Sequence, residues 1–357
     1  MKNSSKKNLQ FGAAIGGVIG LISNSSKQLK YQKKNPQLKF DFQSLILAGI
    51  LGTILGAVNA SLINLFLSVF NSRKEILGEA DEIKYLVSAI DSYQTDETDK
   101  EVLITGQKIK NELKFRFRND ILGKVSNQGS VKQGTALSGL SDLDIRIQFK
   151  KTSFKNEYNM YNTVYYFLKD NFKDINLVEV RKQKVSLGLI FDIDGEIETI
   201  DIVPVLRTDF IRGKNDYNLY KNPDLCIGSR KLKMNPKKQE EFGDYQNDKI
   251  DIIKLIKLLK TELELPLKSI LIKELTIKAF ETNVIPLGLN GKLLMTLNFI
   301  KDNIDTISIK APDNPMISLT DNLTEGQKKK IKSILNIVIM DIEKDKNALH
   351  DYFPEKV

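Results

Sequence analysis

Three aspartates at set distances from a Gly-Ser turn constrain this 357-residue chain more than any other feature. The turn is Gly129-Ser130; Asp142 and Asp144 follow it, and Asp201 lies 57 residues beyond Asp144. Apolar and polar residues alternate after Asp142, which predicts a strand, and Asp201 lies within the apolar run ETIDIVPVL. A carboxylate in an apolar strand is costly unless it is paired or binds a cation. The pattern therefore predicts strands that bring three carboxylates together around a divalent cation.

The three carboxylates suit a magnesium site. Mg²⁺ prefers carboxylate oxygens together with substrate phosphates and water. Two such ions about 3.5–4 Å apart can stabilise both the attacking and the leaving oxygen of a phosphoryl displacement. In this interpretation Asp142 and Asp144 bridge both ions, and Asp201 holds the ion nearer to the attacking hydroxyl and helps to accept its proton. Mg²⁺, or alternatively Mn²⁺, is the expected cofactor.

The Gly-Ser turn suits the binding of phosphate. Residues 125–128 predict a short strand that leads into Gly129-Ser130, and a short helix is expected after the turn. Glycine lets a phosphate approach the backbone closely. A serine hydroxyl and the N–H groups of a helix start can hold phosphate oxygens. A Gly-Ser or Asp-x-Asp pair alone also suits an ordinary turn or cap, whereas the ordered set indicates a nucleoside triphosphate site.

The complete set resembles the nucleotidyltransferase superfamily that includes DNA polymerase β, poly(A) polymerase and archaeal CCA-adding enzymes. It is most similar to the cGAS/DncV-like nucleotidyltransferases (CD-NTases) and the oligoadenylate synthetases. The family pattern is matched here by Gly129, Ser130, Gly134, Thr135, Ser141, Asp142, Asp144, Asp201 and Pro204. The resemblance implies a metal-dependent transfer of a nucleoside monophosphate from an NTP to a hydroxyl group.

A second match to the family lies in the C-terminal half. Residues 252–260 have apolar side chains at helical spacing, and another apolar-rich segment covers residues 267–275. The resemblance implies that Lys257 and Ser269 contact the donor triphosphate, although a lysine on a solvated helix face would fit the same pattern. Family members usually have an aromatic residue after this serine, which stacks on the base. Ile270 occupies that position here, so the usual stacking partner is missing.

Histidine and cysteine are almost absent, which excludes several kinds of catalysis. The chain has one cysteine, Cys226, and one histidine, His350. A disulfide framework and a cysteine-rich zinc site are therefore excluded. Catalysis by a Ser-His or Cys-His pair is not expected either, so any acid-base step falls to carboxylates.

The net charge of +9 lies mainly in the N-terminal residues. Residues 1–70 contain eight lysines, no arginine and one acidic residue, which amounts to +7, so the remaining 287 residues carry only +2. A protein that grips a long nucleic acid usually has a strongly basic surface. The near-neutral charge beyond residue 70 favours free NTPs as substrates, and nucleic acid is not expected to be required.

Two apolar segments near the N-terminus predict membrane helices. They cover residues 11–23 and 45–70, and the second has 26 residues without a charge, enough to span a bilayer. Glycines spaced by four in both segments permit close helix packing. An anchoring hairpin is favoured over a single anchor and over a glycine-rich element buried in the protein or an oligomer. Because NTPs are cytoplasmic, we expect a membrane-associated protein with its catalytic domain in the cytoplasm.

The expected fold is α+β: a polymerase-β-like nucleotidyltransferase core and a helical C-terminal subdomain, preceded by N-terminal membrane helices. The predicted parts are a membrane-anchoring segment (1–70), a helical stalk and linker (71–104), the catalytic core (105–210) and the helical subdomain (211–357). Helices are expected at 246–263, 266–283, 287–304 and 323–345, and residues 211–238 are expected to be rich in loops. Nucleotide is expected to bind between the core and the helical subdomain.

The resemblance implies an enzyme of the CD-NTase type that joins NTPs into a cyclic or linear oligonucleotide second messenger. In bacteria it also implies anti-phage signalling, in which the product activates an effector protein. Two alternatives stay open: a template-independent enzyme that extends RNA 3′ ends, and a non-catalytic membrane module that senses nucleotides. The near-neutral charge beyond residue 70 argues against the first, and the three aspartates argue against the second.

Overall fold

The structure is a computed structural model that describes residues 80–356, except 95–96, 173–175, 194, 209–214 and 226–227. The predicted membrane segments at 11–23 and 45–70 lie outside the described residues, as does the beginning of the predicted stalk. Among the helices that are described, none is both long enough and apolar enough to cross a membrane.

The described residues form a mixed β-sheet and two groups of helices, which confirms the predicted α+β class. The helices are α1 (80–92), α2 (Glu97–Arg116), α3 (Gly129–Gln133), α4 (Glu157–Asn171), α5 (Pro236–Glu240), α6 (Gln246–Glu262), α7 (Ser269–Thr282), α8 (Leu289–Asn303), α9 (Glu325–Lys344) and α10 (Ala348–Tyr352). The strands are β1 (Ser126–Gln128), β2 (Leu143–Phe149), β3 (Leu177–Lys182), β4 (Leu187–Ile193), β5 (Glu196–Arg207), β6 (Tyr217–Tyr220), β7 (Lys231–Met234), β8 (Lys310–Ala311) and β9 (Asn314–Ser318). A short 3₁₀ helix covers Thr320–Asn322.

The main sheet has the strand order β1-β2-β5-β4-β3, and β6 and β7 continue it from β5. Strands β2 and β5 run parallel, whereas the other neighbouring pairs are antiparallel. The apolar side chains on one face of β2 and β5 pack against α2 and α4 in a core that includes Ile109, Leu113, Ile145, Ile147, Val164, Leu168, Ile200 and Ile202. Because side chains alternate along a strand, the opposite face of β2 carries Asp144, Arg146 and Gln148.

Helix α1 packs into the helical subdomain instead of standing apart as a stalk. Leu86, Ala89 and Ile90 are buried in the same core as the apolar faces of α6 to α9, and the Tyr85 hydroxyl donates to the Phe353 carbonyl oxygen (2.8 Å). The predicted boundary at residue 104 falls inside α2, which packs on the sheet. Apolar residues at helical spacing between Glu75 and Ile90 predict a helix here, but this spacing does not indicate which elements the helix packs against.

The four long C-terminal helices agree with the sequence to within a few residues at each end, because their apolar residues recur at helical spacing. Helix α9, for example, begins at a capping box formed by Thr324 and Gln327, and it buries apolar residues three to four positions apart. Residues 211–238, expected to be rich in loops, contain β6, β7 and the beginning of α5. The lysine-rich sequence of β7 lacks the apolar run that would have predicted a strand.

Candidate active site

The parallel register of β2 and β5 pairs Asp144 directly with Asp201. Since neighbouring strands lie about 4.8 Å apart, the two carboxyl groups are crowded, and Asp142 adds a third just before β2 begins. Burial, followed by the charges of Asp201 and Asp142, raises the pKa of Asp144 to about 7. Burial also raises the pKa of Asp201. A divalent cation would relieve this repulsion, because it stabilises the ionised form of each carboxyl group.

The donor chemistry of the three aspartates fits Mg²⁺ or Mn²⁺, since both favour carboxylate oxygens. Their present rotamers do not form a closed cluster: within the described residues, no three His, Cys, Asp or Glu side chains converge as a metal-binding group. The Asp201 carboxylate accepts hydrogen bonds from Gln183 Nε2 (3.0 Å) and Ser186 Oγ (3.2 Å). The Asp144 carboxylate lies against Gly129. The assignment of these aspartates as metal ligands therefore stays a prediction that their placement and chemistry support.

Gly129 begins α3 immediately after β1, in the strand-turn-helix order expected from the sequence. Its φ of 62° lies in the left-handed region, and a Cβ atom at this position would be 2.2 Å from Asp144 Oδ2. Glycine satisfies both requirements at once. Gln128, the N-cap residue of α3, makes no side-chain capping hydrogen bond. The N–H groups of the first turn of α3 therefore receive no cap from Gln128. They are available to phosphate oxygens next to Ser130, as a phosphate-binding turn requires.

A cleft of about 270 Å³ separates the Gly-Ser turn and the aspartates from helices α6 and α7. Its lining contains six of the seven predicted site residues: Gly129, Ser130, Asp142, Asp144, Lys257 and Ser269. The seventh, Asp201, lies beside Asp144 through the strand register. Ile270, in the position where the family usually has an aromatic residue, also lines the cleft. Residues more than a hundred positions apart in the sequence thus meet around one cavity.

Lys257 connects α6 to the segment that precedes Asp142. Its Nζ donates to the Thr135 carbonyl oxygen (2.8 Å) and to Ser141 Oγ (2.9 Å). Only 7% of the residue is exposed, so the alternative of a lysine on a solvated helix face is wrong. Burial, assisted by Lys260 and Lys254, lowers the pKa of Lys257 to about 8. The cleft is therefore lined by a basic group whose charge changes with pH around 8.

Replacing Lys257 with methionine is expected to weaken the binding of a non-hydrolysable NTP by about 10- to 100-fold, because a charge-assisted hydrogen bond contributes about 1.5–3 kcal/mol. The charge of Lys257 is lost as pH rises through about 8, so wild-type affinity should fall between pH 7 and 9 while the Lys257→Met variant changes less. Calorimetric titration with Mg²⁺ present measures both. Lys278→Met, at an exposed position of α7, is the control. Equal affinity of the Lys257→Met variant and the wild type would contradict the role of Lys257.

Several residues without a recognisable sequence signal also line the cleft: Gln128, Gln133, Leu140, Gln239, Ile253 and Lys273. Lys273 lies one turn after Ser269 on α7, where its Nζ donates to the Gln239 carbonyl oxygen and lies 4.5 Å from the centre of the Phe242 ring. Burial lowers the pKa of Lys273. Gln128 Oε1 is buried without a hydrogen-bond partner among the described residues. The spacing of four residues from Ser269 could have indicated Lys273, but lysine is too common in this chain for one of them to stand out.

No family model and no curated protein matches this sequence. The fold, in contrast, is similar to that of several solved bacterial proteins. CdnC from E. coli MS115-1, solved with ATP, is 15% identical with a TM-score of 0.58, over 76% of this chain and 96% of that chain. CdnG from Bradyrhizobium diazoefficiens, a CD-NTase solved with GTP, is 12% identical with a TM-score of 0.57, over 77% and 95%. DncV from Vibrio cholerae, a cyclic AMP-GMP synthase solved with non-hydrolysable GTP, is 13% identical with a TM-score of 0.53, over 65% and 69%. The described part of this chain therefore has the fold of the CD-NTases, as its sequence predicted.

Proposed function

We propose that this chain is a metal-dependent nucleotidyltransferase that joins NTPs into a cyclic or linear oligonucleotide second messenger. The observation that carries the proposal is the cleft in which Asp142 and Asp144 meet the Gly-Ser turn and Lys257, with Asp201 in register beside Asp144. Each of these elements serves the transfer of a nucleotidyl group. Their combination on a CD-NTase fold favours this chemistry over a general nucleotide-binding role.

In the proposed reaction, a hydroxyl oxygen of the acceptor nucleotide attacks the α-phosphorus of a donor NTP. The bond from that phosphorus to the oxygen bridging it to the β-phosphate breaks, and pyrophosphate leaves. Mg²⁺ or Mn²⁺ held by Asp142, Asp144 and Asp201 would neutralise phosphate charge and lower the pKa of the attacking hydroxyl. Asp201 would help to accept the hydroxyl proton, so that the acceptor is deprotonated as the new bond forms.

The remaining groups of the cleft would bind and orient the donor. Ser130 and the backbone of the Gly-Ser turn would hold phosphate oxygens. Lys257 would contribute a positive charge from α6, and Ser269 a hydroxyl from the start of α7. A triphosphate held from two sides is fixed in orientation, and such positioning can account for much of the rate enhancement of phosphoryl transfer.

The charge of the chain supports free nucleotides, and not a long nucleic acid, as substrates. Beyond residue 70 the net charge is only +2, whereas binding to a phosphate backbone depends on many basic contacts. Proteins of similar fold have been solved with ATP and with GTP. We therefore propose NTPs as both donor and acceptor.

We further propose that the product acts on an effector protein in bacterial anti-phage signalling. The similarity of this fold to a cyclic AMP-GMP synthase supports a messenger as product. The N-terminal membrane segments stay a prediction. If they anchor the chain with its catalytic domain in the cytoplasm, the messenger is made at the membrane, beside its effector.

The proposal is tested by incubating the full chain with Mg²⁺ and the four NTPs, with and without RNA. Products are treated with phosphatase and resolved by chromatography and mass spectrometry. We expect short products whose phosphodiester bonds resist phosphatase, formed without RNA. Extension of RNA alone would contradict the proposal and favour an RNA 3′-end nucleotidyltransferase. Binding of NTPs without turnover, with or without RNA, would favour a nucleotide-sensing module.

A further inference from the structure

We propose that Gln183 and Ser186 are positioning residues for Asp201. The glycine at position 188 leaves room for the Gln183 side chain, which passes through the space that a larger residue at 188 would fill. The inference rests on the proposed function, because it concerns the orientation of a proposed metal ligand. It adds residues that the sequence pattern of the family does not include.

Both oxygens of the Asp201 carboxylate are held. Gln183 Nε2 donates to Oδ1 (3.0 Å), and Ser186 Oγ donates to Oδ2 (3.2 Å). The Ser186 hydroxyl also lies 2.5 Å from Gln183 Oε1. Because a hydroxyl has a single proton, Ser186 donates to either the Gln183 amide oxygen or the Asp201 carboxylate at any one time. Rotation of the carboxylate would break the bond from Gln183 Nε2 and move Oδ2 away from the Ser186 hydroxyl. Since a carboxylate oxygen can accept about two interactions, each oxygen keeps the capacity to bind a cation as well.

The two donors are part of a turn that is fixed to the protein core. Gln183 and Ser186 lie between β3 and β4, and the Gln183 N–H donates to the Ser186 carbonyl oxygen (3.0 Å). The hydroxyl of Tyr161, on α4, lies within hydrogen-bonding distance of the carbonyl oxygens of Gln183 (3.0 Å) and Ser186 (2.9 Å). Tyr161 is only 1% exposed. The turn is therefore held in place by the buried Tyr161, which lies on the apolar face of the sheet.

Gly188 leaves the space that the Gln183 side chain uses. It is the antiparallel register partner of Asp201, and side chains at paired positions project from the same face of a sheet. A Cβ atom at position 188 would lie 2.6 Å from Gln183 Nε2 and 3.4 Å from Asp201 Oδ1. Gly188 is not among the glycines with positive φ, so its backbone conformation does not require glycine. A Cβ atom here would instead displace the movable Gln183 amide that holds Asp201.

The test measures metal binding directly, apart from catalysis. Binding of Mn²⁺ by the full chain, with a non-hydrolysable NTP present, is followed by electron paramagnetic resonance, and Mg²⁺-dependent turnover is measured in parallel. Because partners that orient a metal ligand typically change affinity by about 10- to 100-fold, Gln183→Ala and Gly188→Ala are each expected to weaken Mn²⁺ binding to that extent. Gln107→Ala is the matched control, because the Gln107 amide is exposed and, among the described residues, bonds to Asn111 of its own helix. This variant should bind Mn²⁺ as the wild type does.

The double variant Gly188→Ala/Gln183→Ala tests the explanation for the glycine. Once the Gln183 amide is removed, the nearest remaining neighbour of an alanine Cβ at position 188 is Asp201 Oδ1, at 3.4 Å. The double variant should therefore bind Mn²⁺ no more weakly than Gln183→Ala alone. Losses that add up in the double variant would overturn the explanation for Gly188.

The outcomes separate this inference from the proposed function. If Asp201→Asn abolishes Mn²⁺ binding while Gln183→Ala binds like the wild type, the positioning role is wrong and the proposed site stands. If Asp201→Asn binds Mn²⁺ like the wild type, the proposed site fails and the inference fails with it. Thermal unfolding identifies a variant that has lost its fold. If Gln183→Ala has lost its fold, Ser186→Ala takes its place in the test, because it removes one donor and leaves the turn's backbone bond. Weaker Mn²⁺ binding by Ser186→Ala supports the positioning role, and unchanged binding contradicts it.

Discussion

Asparagine in place of Asp144 is expected to reduce nucleotide transfer by at least about a thousandfold while the protein stays folded. The amide keeps the shape of the carboxyl group but has no charge with which to hold a cation between β2 and β5. Metal-ion catalysis contributes several kcal/mol, and about 4 kcal/mol corresponds to a thousandfold in rate. Pyrophosphate release in the presence of Mg²⁺ and NTPs measures the change. A variant that retains most of its activity would contradict the assignment of Asp144.

The same substitution is expected to stabilise the metal-free protein near neutral pH. Burial, then Asp201 and Asp142, raises the pKa of Asp144 from 3.8 to about 7 in the folded state. The folded protein thus binds this proton more tightly than the unfolded chain does. The resulting stability is fully present below pH about 4 and is lost as pH rises through about 7, by up to about 4 kcal/mol. Asparagine does not titrate, so the Asp144→Asn variant should lose this decline.

Urea denaturation without metal, at pH 5 and at pH 8, measures the free energy of unfolding of both proteins. We expect the wild type to be less stable at pH 8 than at pH 5, with a smaller difference in the Asp144→Asn variant. Adding Mg²⁺ at pH 8 should restore stability to the wild type only, because a ligand that binds the folded state stabilises it. If the free energy of unfolding depended on pH in the same way in both proteins, the raised pKa of Asp144 would be contradicted.

Alanine in place of Gly129 is expected to reduce activity by at least about 10- to 100-fold, through Asp144. A Cβ atom at position 129 would lie 2.2 Å from Asp144 Oδ2, so either the carboxylate or the turn must move. Displacing a metal ligand in this way costs at least as much as losing a group that orients it, which is about 10- to 100-fold. The Gly-Ser turn would shift as well, which moves the proposed phosphate site.

Gly123 offers a matched control for this substitution. Its φ of 69° is close to the 62° of Gly129, but a Cβ atom at position 123 would meet nothing within 4 Å. Both alanine variants should therefore lose about 1–2 kcal/mol of stability, because alanine is strained in this conformation. Turnover and the unfolding free energy are measured for both. A similar loss of activity in the two variants would show that backbone strain, and not the contact with Asp144, explains the effect.

Much of the site follows from the sequence, because polar residues in apolar strands have few alternative explanations. Asp144 and Asp201 stand out for this reason, and the parallel pairing of their strands brings them together. The positions of Lys257 and Ser269 depend on family resemblance, since periodicity alone cannot separate a buried lysine from a solvated one. Burial of Lys257 against Thr135 and Ser141 is a tertiary property.

Other parts of the site carry no sequence signal at all. Gln183 and Ser186 lie in a turn of ordinary polar composition, and only the register of β4 with β5 brings that turn to Asp201. Gly188 looks like any glycine in a strand until the Gln183 side chain is seen beside it. In the fold, α1 joins the helical core through Leu86, Ala89 and Ile90, although its apolar spacing would fit a separate helix as well. Contacts of this kind depend on long-range pairing, which local pattern cannot supply.

The central claim is that three aspartates hold divalent cations against a triphosphate in this one cleft. Anomalous diffraction from crystals grown with Mn²⁺ and a non-hydrolysable NTP tests it most directly. We expect two manganese peaks about 3.5–4 Å apart, bound by Asp142 and Asp144 with Asp201 on one of them, and a triphosphate between the Gly-Ser turn and Lys257. A triphosphate bound elsewhere, or one bound in this cleft without manganese at the aspartates, would contradict the claim.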